Sequence, residues 1–440
     1  MKVNTVKAVF FILLIGAGCI QTNAWTDAAI NPFPTPVPDH IILNCTTNPA
    51  NSMAVTWRTD TSVQEACAEI AVANASFNYI FYTETYPAKT ELLKDGDYAA
   101  HYHSVIFEKL KPNTLYAYRV GTADTWSEWF QFRTAGDDTE PFTFLYLGDG
   151  QNAILSLWSR AIRAAYRAAP ESRLIIHGGD IVANGDSYTE WSEWHTAAGW
   201  INGMTPIVPV PGNHEYYHGH GLDRYLTKFW FANFTLPENG IPSLRESNYY
   251  FDYQGVRFII LNGNEKIEEQ AVWLKSVLKN NPNRWTIAAF HQTIYAATNN
   301  RDHKEIRVNW KPLFDKYDVD LVLMGHDHAY ARGHNVDPKT KIKDPYTGPV
   351  YVVSVSGPKF YHANENRWMD RAGENTQLYQ IIRIDNDTLH YQSFTVTNEL
   401  YDEFQIRKSP GKPNIFLDKQ DRAIPERTFQ NSLSRPPDQP

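Results

Sequence analysis

The sequence predicts a multidomain chain, an all-β sandwich over 38–135 followed by an α/β domain over 141–402 built as two sheets flanked by helices. Three observations carry this. Short β-rich runs broken by turn residues fill about one hundred residues after Pro38, which is the pattern of a sandwich. From Pro141 the text changes to apolar strands alternating with helix-like runs such as LSLWSRAIRAAYRAA and EEQAVWLKSVLKNN, which indicates α/β layers. Within that second part, five apolar runs each stop directly on residues able to hold a metal.

Taken in order, the first element is MKVNTVKAVFFILLIGAGC, in which basic Lys2 and Lys7 precede an apolar run too short to span a membrane comfortably. Residues 1–24 therefore read as an export signal, and the chain is expected to be periplasmic, secreted or membrane-anchored. Two endings stay open: cleavage after Ala24, or a lipoprotein signal that leaves a lipid anchor on Cys19. NPFPTPVPDH follows, and its repeated prolines make 25–37 an extended linker. HIILNCT, SMAVTWRT, FNYIFYT, HYHSVIFEKL, LYAYRVGT and EWFQFRT then read as the strands of the sandwich. Of three cysteines, Cys45 and Cys67 are left as either one disulfide or two buried thiols. Asn44, Asn74, Asn233 and Asn386 begin glycosylation triplets, which matter only in a host that modifies them. Proline and charge mark 403–440 as a tail.

A formal charge of -8 and the lack of any sustained Lys/Arg run exclude a nucleic-acid groove or a polybasic membrane patch. A small anionic substrate would need a local cation.

The five apolar runs set the chemistry. FTFLYL ends on Gly148-Asp149-Gly150-Gln151, LIIHG on Gly179-Asp180, and PIVPVP on Gly212-Asn213-His214-Glu215. TIAAF ends on His291, and LVLM on Gly325-His326-Asp327-His328. Strand ends are where an α/β sheet gathers side chains from distant sequence into one crevice. Two metal ions about 3.5 to 4 Å apart need one bridging carboxylate and further nitrogen and oxygen donors. Asp180 suits the bridge, and His326 and His328 can serve different ions. Each piece alone is more often a turn or a hydrogen-bonded histidine. The ordered set is not.

That set, GDG, GGD, GNHE, FH and GHDH, resembles the metallophosphoesterase superfamily. LKPNTLYAYRV, with Leu110, Pro112 and Tyr116, and Trp57 in MAVTWRT resemble a fibronectin type III module; together the two parts are similar to purple acid phosphatases. The resemblance implies one ion on Asp149, Asp180 and His328, and a second on Asp180, Asn213, His291 and His326. It implies that His214 contacts the phosphate and assists the leaving oxygen, with metal-held hydroxide as nucleophile. Asn213 and one of Arg301 or His303 are implied at the substrate, and the residues favour neither of the last two. His218 and His220 are further candidates for the pocket, or simply exposed loop residues. Glu215 is expected to orient His214 or nearby backbone, and Asp327 either to support a ligand or to cap a turn.

The similarity breaks at one place. The family's metal-ligating tyrosine falls on Ala183, and Gln151 stands where the wider superfamily usually has histidine, so Gln151 is a further candidate ligand. Tyr188 lies too far along to substitute. Losing a tyrosinate favours two divalent ions, manganese, zinc or iron(II), over a ferric-tyrosinate centre, and activity nearer neutral pH. The expectation is an exported metal-dependent phosphatase acting on small phosphate monoesters. Its alternatives are a phosphodiesterase on nucleotide or lipid head-group esters, and an inactive binding or adhesion protein using the first domain.

Overall fold

The computed structural model describes residues 30–217, 224–299, 301–335, 348–364, 368–409 and 411–428. The expected export signal and Cys19 lie outside these residues.

The first domain is two layers of four strands. Asp39–Cys45, Met53–Thr59, Tyr98–Phe107 and Lys89–Asp95 are neighbours in one layer, and Glu84–Pro87, Cys67–Val72, Leu115–Gly121 and Phe130–Arg133 form the other. The strand MAVTWRT shows why the fold closes. Its Met53, Val55 and Trp57 pack into the sandwich core with Phe107, Tyr118 and Phe132. The opposite face meets the second domain, where Thr56 Oγ1 lies 3.0 Å from Thr235 Oγ1 and Arg58 donates to Ser192 Oγ at 3.3 Å. With both faces covered, the whole strand is buried. Truncating Trp57 to Ala would cost about 3 to 5 kcal/mol. Tyr116 Oη accepts the Lys111 N–H at 2.9 Å and closes the corner between Leu110 and the next strand.

The domains share a sheet. Asn44 pairs in parallel register with Ile207, and its Nδ2 donates to the Ile207 carbonyl at 2.8 Å. One eleven-stranded sheet thus runs from the sandwich into the second domain. Asn44 is fully buried in this junction, so its triplet cannot carry a glycan in the folded chain.

In the second domain, Phe142–Leu147, Ile175–His177 and Ile207–Pro209 run parallel in that sheet. A seven-stranded sheet faces it, with Val256–Ile260, Trp285–Ala289, Leu321–Met324 and Val350–Val353 parallel. Apolar side chains interlock between the sheets; Phe144 meets Phe258 edge-on at 5.3 Å. The helix Ser159–Ala168 turns Ala161, Ile162, Ala164 and Ala165 inward at helical spacing and leaves Arg160 outside. Ile267–Lys279 covers the other sheet with Ile267, Gln270, Leu274, Val277 and Leu278.

Two expectations need correction, and one left open is decided. FNYIFYT is not a strand but a 3-10 turn, Phe77–Tyr82, started by Ser76, whose side chain accepts the Asn78 N–H. Local capping overrides the β propensity of its aromatics, and Phe77, Phe81 and Tyr82 are exposed. The strands actually present there, CAEIAV and KTELLKD, are too charged or too short to stand out. The stretch from 403 is not a tail: Leu400–Ser409 and Lys412–Asp418 form a hairpin on the edge of the eleven-stranded sheet. Buried Phe404 and Ile406 alternate beneath its charges, and Asp402 takes the buried Arg332 guanidinium at 2.8 Å. Cys45 and Cys67 are free thiols on strands of opposite layers.

At the domain junction His40 and His195 stack at 4.2 Å, beside Arg58, which is itself bound to Asp39 at 2.7 Å. Burial lowers the His195 pKa to about 3, with the Arg58 charge adding and an Asn233 hydrogen bond opposing. The unfolded chain therefore binds more protons below the ordinary value of about 6.5. This stability is complete above that pH and is lost as pH falls toward the folded value; at pH 5 the loss is about 2 kcal/mol for His195. Thermal unfolding of wild type and His195→Gln from pH 7.5 to 4.5 checks this. The variant should show the shallower acid limb, and parallel limbs would rule His195 out as the cause.

Candidate metal centre

All five strand ends identified in the sequence meet at one edge of the paired sheets. The turns that follow are tight. Asp180, His326 and His328 have φ of 46°, 71° and 48°, a left-handed backbone that costs non-glycine residues about 1 to 3 kcal/mol. Glycines make the approach possible: Gly179 has φ 89°, and a Cβ on Gly325 would sit 2.1 Å from Asp149 Oδ1.

Backbone donors then aim the carboxylates. Asp149 Oδ1 accepts the His326 N–H at 2.8 Å, and Asp180 Oδ1 accepts the His214 N–H at 2.9 Å. Glu215 is fully buried and ties the loops together. Its two oxygens accept the N–H groups of Asp180, Ile181, Val182 and Gly212 at 2.7 to 3.3 Å. Of the two tasks expected of Glu215, it performs the backbone one. Four donors and no acceptor hold it ionised against burial, which pushes its pKa up.

Two donor groups result. Asp149, Asp180 and His328 offer ligand atoms within 4.8 Å of one another, and so do Asp180, His291 and His326. Asp180 belongs to both. Its Oδ2 lies 3.0 Å from His291 Nε2 and 3.0 Å from Gln151 Nε2. Asn213 Oδ1 lies 3.2 Å from His291 Nε2, and Gln151 Nε2 lies 3.2 Å from His328 Nε2.

The protonation pattern fits cations in these positions. His291 Nδ1–H donates to the Gly178 carbonyl at 2.8 Å, which leaves Nε2 facing the cluster. Burial opposes charge on His291, yet the carboxylates of Asp180 and Asp149 raise its pKa to about 9. Burial likewise opposes ionisation of Asp180, and His291 and His214 nevertheless hold its pKa well below the usual range. A buried proton on His291 thus compensates negative charge that a cation would compensate better. Asp149 Oδ2 and Gln151 Oε1 are buried without a hydrogen-bond partner, His328 Nε2 lies 3.6 Å from Asp149 Oδ2, and burial pushes the Asp149 carboxyl up to about 7. Burial and the neighbouring positive charges keep His326 and His328 neutral, with lone pairs available to a metal.

The remaining candidates divide. His214 lies at the centre, its Nε2 3.9 Å from Asp180 Oδ2 and its Nδ1–H donating to the Ala183 carbonyl at 2.6 Å. The alanine that stands in the tyrosine position therefore contributes its carbonyl. The His303 ring lies 4.8 Å from that of His326, with Nε2 buried and unpartnered. Arg301 lies beside the centre: Nη1 donates to the His326 carbonyl at 2.7 Å, and its guanidinium covers the Tyr361 ring at 4.7 Å. Asp327 accepts the Ala297 N–H at 2.6 Å and anchors that loop. Tyr188 stacks on Tyr98 at 4.7 Å, at the domain junction. His218 and His220 lie outside the described residues.

A sixth strand end escaped the sequence reading. Val350–Val353 leads into SVSGPKFYH, where the Tyr361 N–H donates to the His328 carbonyl at 3.0 Å and the ring meets that of His328 edge-on at 4.9 Å. Lys359 sits 5.7 Å from the Tyr361 ring and brings a positive charge to His214 and His328. The signal was present in the apolar run VYVVSV ending on glycine, but lysine and tyrosine do not read as metal ligands.

Two family models match this chain. Residues 38–134 match "Purple acid Phosphatase, N-terminal domain", and 138–330 match "Calcineurin-like phosphoesterase". Human acid phosphatase type 7 is 28% identical over 296 residues, 58% of this chain and 63% of that protein. Arabidopsis thaliana purple acid phosphatase 18 is 23% identical over 380 residues, 79% of this chain and 80% of that protein. Among solved structures, a yellow lupin purple acid phosphatase superposes with TM-score 0.73 at 17% identity, over 85% of this chain and 75% of that one, which speaks to fold alone. Fold and donor set are those of a metal-dependent phosphatase built on the metallophosphoesterase plan. Within that superfamily the chain belongs to the purple acid phosphatase-like proteins, which carry a β-sandwich ahead of the catalytic domain.

Because a methyl on Gly325 would collide with Asp149, Gly325→Ala should displace that carboxylate while the surrounding sheets persist. Misplacing such a group by about 1 Å costs on the order of 10²-fold in rate. Unaltered phosphatase activity with one added methyl would show that Asp149 tolerates displacement.

Proposed function

We propose that this protein is an exported, dinuclear metal-dependent phosphatase that hydrolyses small phosphate monoesters. One observation carries the reading: two donor groups, buried and complementary in chemistry, meet on a single carboxylate, Asp180. Asp149, His328 and Gln151 would hold one ion with Asp180, and Asn213, His291 and His326 the other. A bound pair of cations neutralises charge that develops on phosphoryl oxygens and acidifies water for attack. Export is supported by the N-terminal MKVNTVKAVFFILLIGAGC, and Cys19 offers a lipid attachment point. No helix among the described residues is long and apolar enough to cross a membrane.

The residues of the chain supply the rest. The Ala183 carbonyl accepts the His214 Nδ1–H, so Nε2 faces the cluster; in the imidazolium form Nε2–H can pass its proton to the departing alkoxide, and burial, which lowers the His214 pKa, makes that proton easier to give up. Lys359 provides the local cation that a chain of charge -8 needs to attract a phosphate dianion. Asn213 and His303 border the second donor group and line the place where the ester oxygens would rest. Ala183 and Gln151 replace anionic or imidazole ligands, so the site favours divalent ions, manganese, zinc or iron(II). Gln151 Oε1, buried without a partner, can turn toward a cation.

Metal-reconstituted protein should hydrolyse p-nitrophenyl phosphate with kcat/KM at least roughly tenfold above bis(p-nitrophenyl) phosphate, a gap of about 1.4 kcal/mol. The reverse order would make it a phosphodiesterase, and turnover of neither would favour a binding protein. Asp180→Ala should lose both ions by elemental analysis. His214→Ala should keep them while kcat falls by about 10² to 10⁴. Purified protein should lack an intense visible band, and a strong tyrosinate-to-iron absorption would overturn the divalent assignment.

A further inference from the structure

We propose that the preferred esters carry a second phosphate group, received by a basic groove that opens beside the metal centre at Lys359. This rests on the phosphohydrolase reading and deepens it. The groove encloses about 340 Å³, in the lower range of small-molecule sites, and Arg160, Lys359 and Arg427 line it. They come from three distant parts of the chain: the first turn of the helix Ser159–Ala168, the loop after Val350–Val353, and the segment following the last strand. Asn375, Gln377 and Thr397 add neutral polar groups to the wall.

Among the described residues none of these three cations makes an ion pair, whereas Arg58, Arg119, Arg257 and Arg332 all do. The carboxylates on neighbouring elements are engaged with other groups. Glu399 Oε2 accepts from the Thr397 hydroxyl at 2.8 Å, Glu374 Oε2 accepts the Ala363 N–H at 2.9 Å, and Glu426 Oε1 accepts the Ala372 N–H at 2.7 Å. Three uncommitted cations in one groove, on a chain of charge -8, form a local field that selects anions.

The groove wall adjoins the loops of the centre. Gly357, also in the groove wall, donates its N–H to the Asp149 carbonyl at 2.6 Å, and a Cβ there would lie 2.8 Å from the Gln151 carbonyl. Two residues on, Lys359 lines the groove and lies 5.7 Å from the ring of Tyr361, which in turn meets the His328 ring at 4.9 Å. An ester phosphate at the metals therefore leaves its alcohol portion free to carry a further phosphate toward Arg160 and Arg427, where guanidinium groups offer paired donors. A substrate without that phosphate leaves the groove empty.

The test compares fructose 1,6-bisphosphate with fructose 6-phosphate on the metal-loaded full chain. Wild type should prefer the bisphosphate, and R160Q/R427Q should lower the bisphosphate-to-monophosphate ratio of kcat/KM roughly tenfold through KM, with lysine at both positions restoring part of it. The wild-type preference should also shrink as salt rises. An unchanged ratio in the double variant overturns the groove while leaving the phosphatase reading intact. If wild type turns over neither sugar, p-nitrophenyl phosphate decides the phosphatase reading separately, and calorimetric titration with the bisphosphate decides the groove: weaker binding in the double variant supports it, and equal binding overturns it.

Discussion

Concentrated negative charge in a dry place is the constraint around which the second domain is organised. Asp149, Asp180 and Glu215 lie at 0%, 1% and 0% exposure. Unpaired carboxylates at that depth cost several kcal/mol each. Glu215 is satisfied by four backbone N–H groups, so its charge is spent on holding two loops together. Asp180 is half satisfied by backbone and half by His291. Asp149 keeps one oxygen with no hydrogen-bond partner. What remains after the protein has used its own donors is therefore an unmet demand for positive charge, shared between Asp149 and Asp180 and ringed by neutral imidazoles.

That demand explains features that would otherwise read as defects. Three of the donor residues sit in left-handed backbone, and the glycines before two of them, Gly179 and Gly325, leave no room for a side chain. Such strain persists only when the surroundings over-determine it. Here two sheets do so, locked by aromatic contacts between their inner faces and by the eleven-stranded sheet that continues into the sandwich. The sandwich is thus more than an appendage: Asn44, on its first strand, hydrogen-bonds to the strand that ends in Gly212 and Asn213.

The centre was readable in the sequence because each donor lies at the end of an apolar run and most follow a glycine; that pattern located the strand ends, and the family resemblance picked out Asp149, Asp180, Asn213, His291, His326 and His328 as ligands. The structure assembles these residues at one edge, with Gln151 among them. Two kinds of residue were not readable. Lys359 and Tyr361 act through position, and nothing in a lysine or tyrosine on a loop announces that it borders a metal site. Arg301 was a candidate phosphate contact, and its support of the His326 backbone through Nη1 was not readable. In the fold, regular alternation identified MAVTWRT and LYAYRVG, whereas FNYIFYT looked like a strand and is a capped turn. The final hairpin was hidden because lysines and prolines on its exposed face outnumbered the buried pair Phe404 and Ile406.

Anomalous diffraction from crystals grown with manganese tests the central claim most directly. Two peaks about 3.5 to 4 Å apart, both within bonding distance of Asp180, are the predicted result. A single peak, or a pair that does not share that carboxylate, would contradict the account.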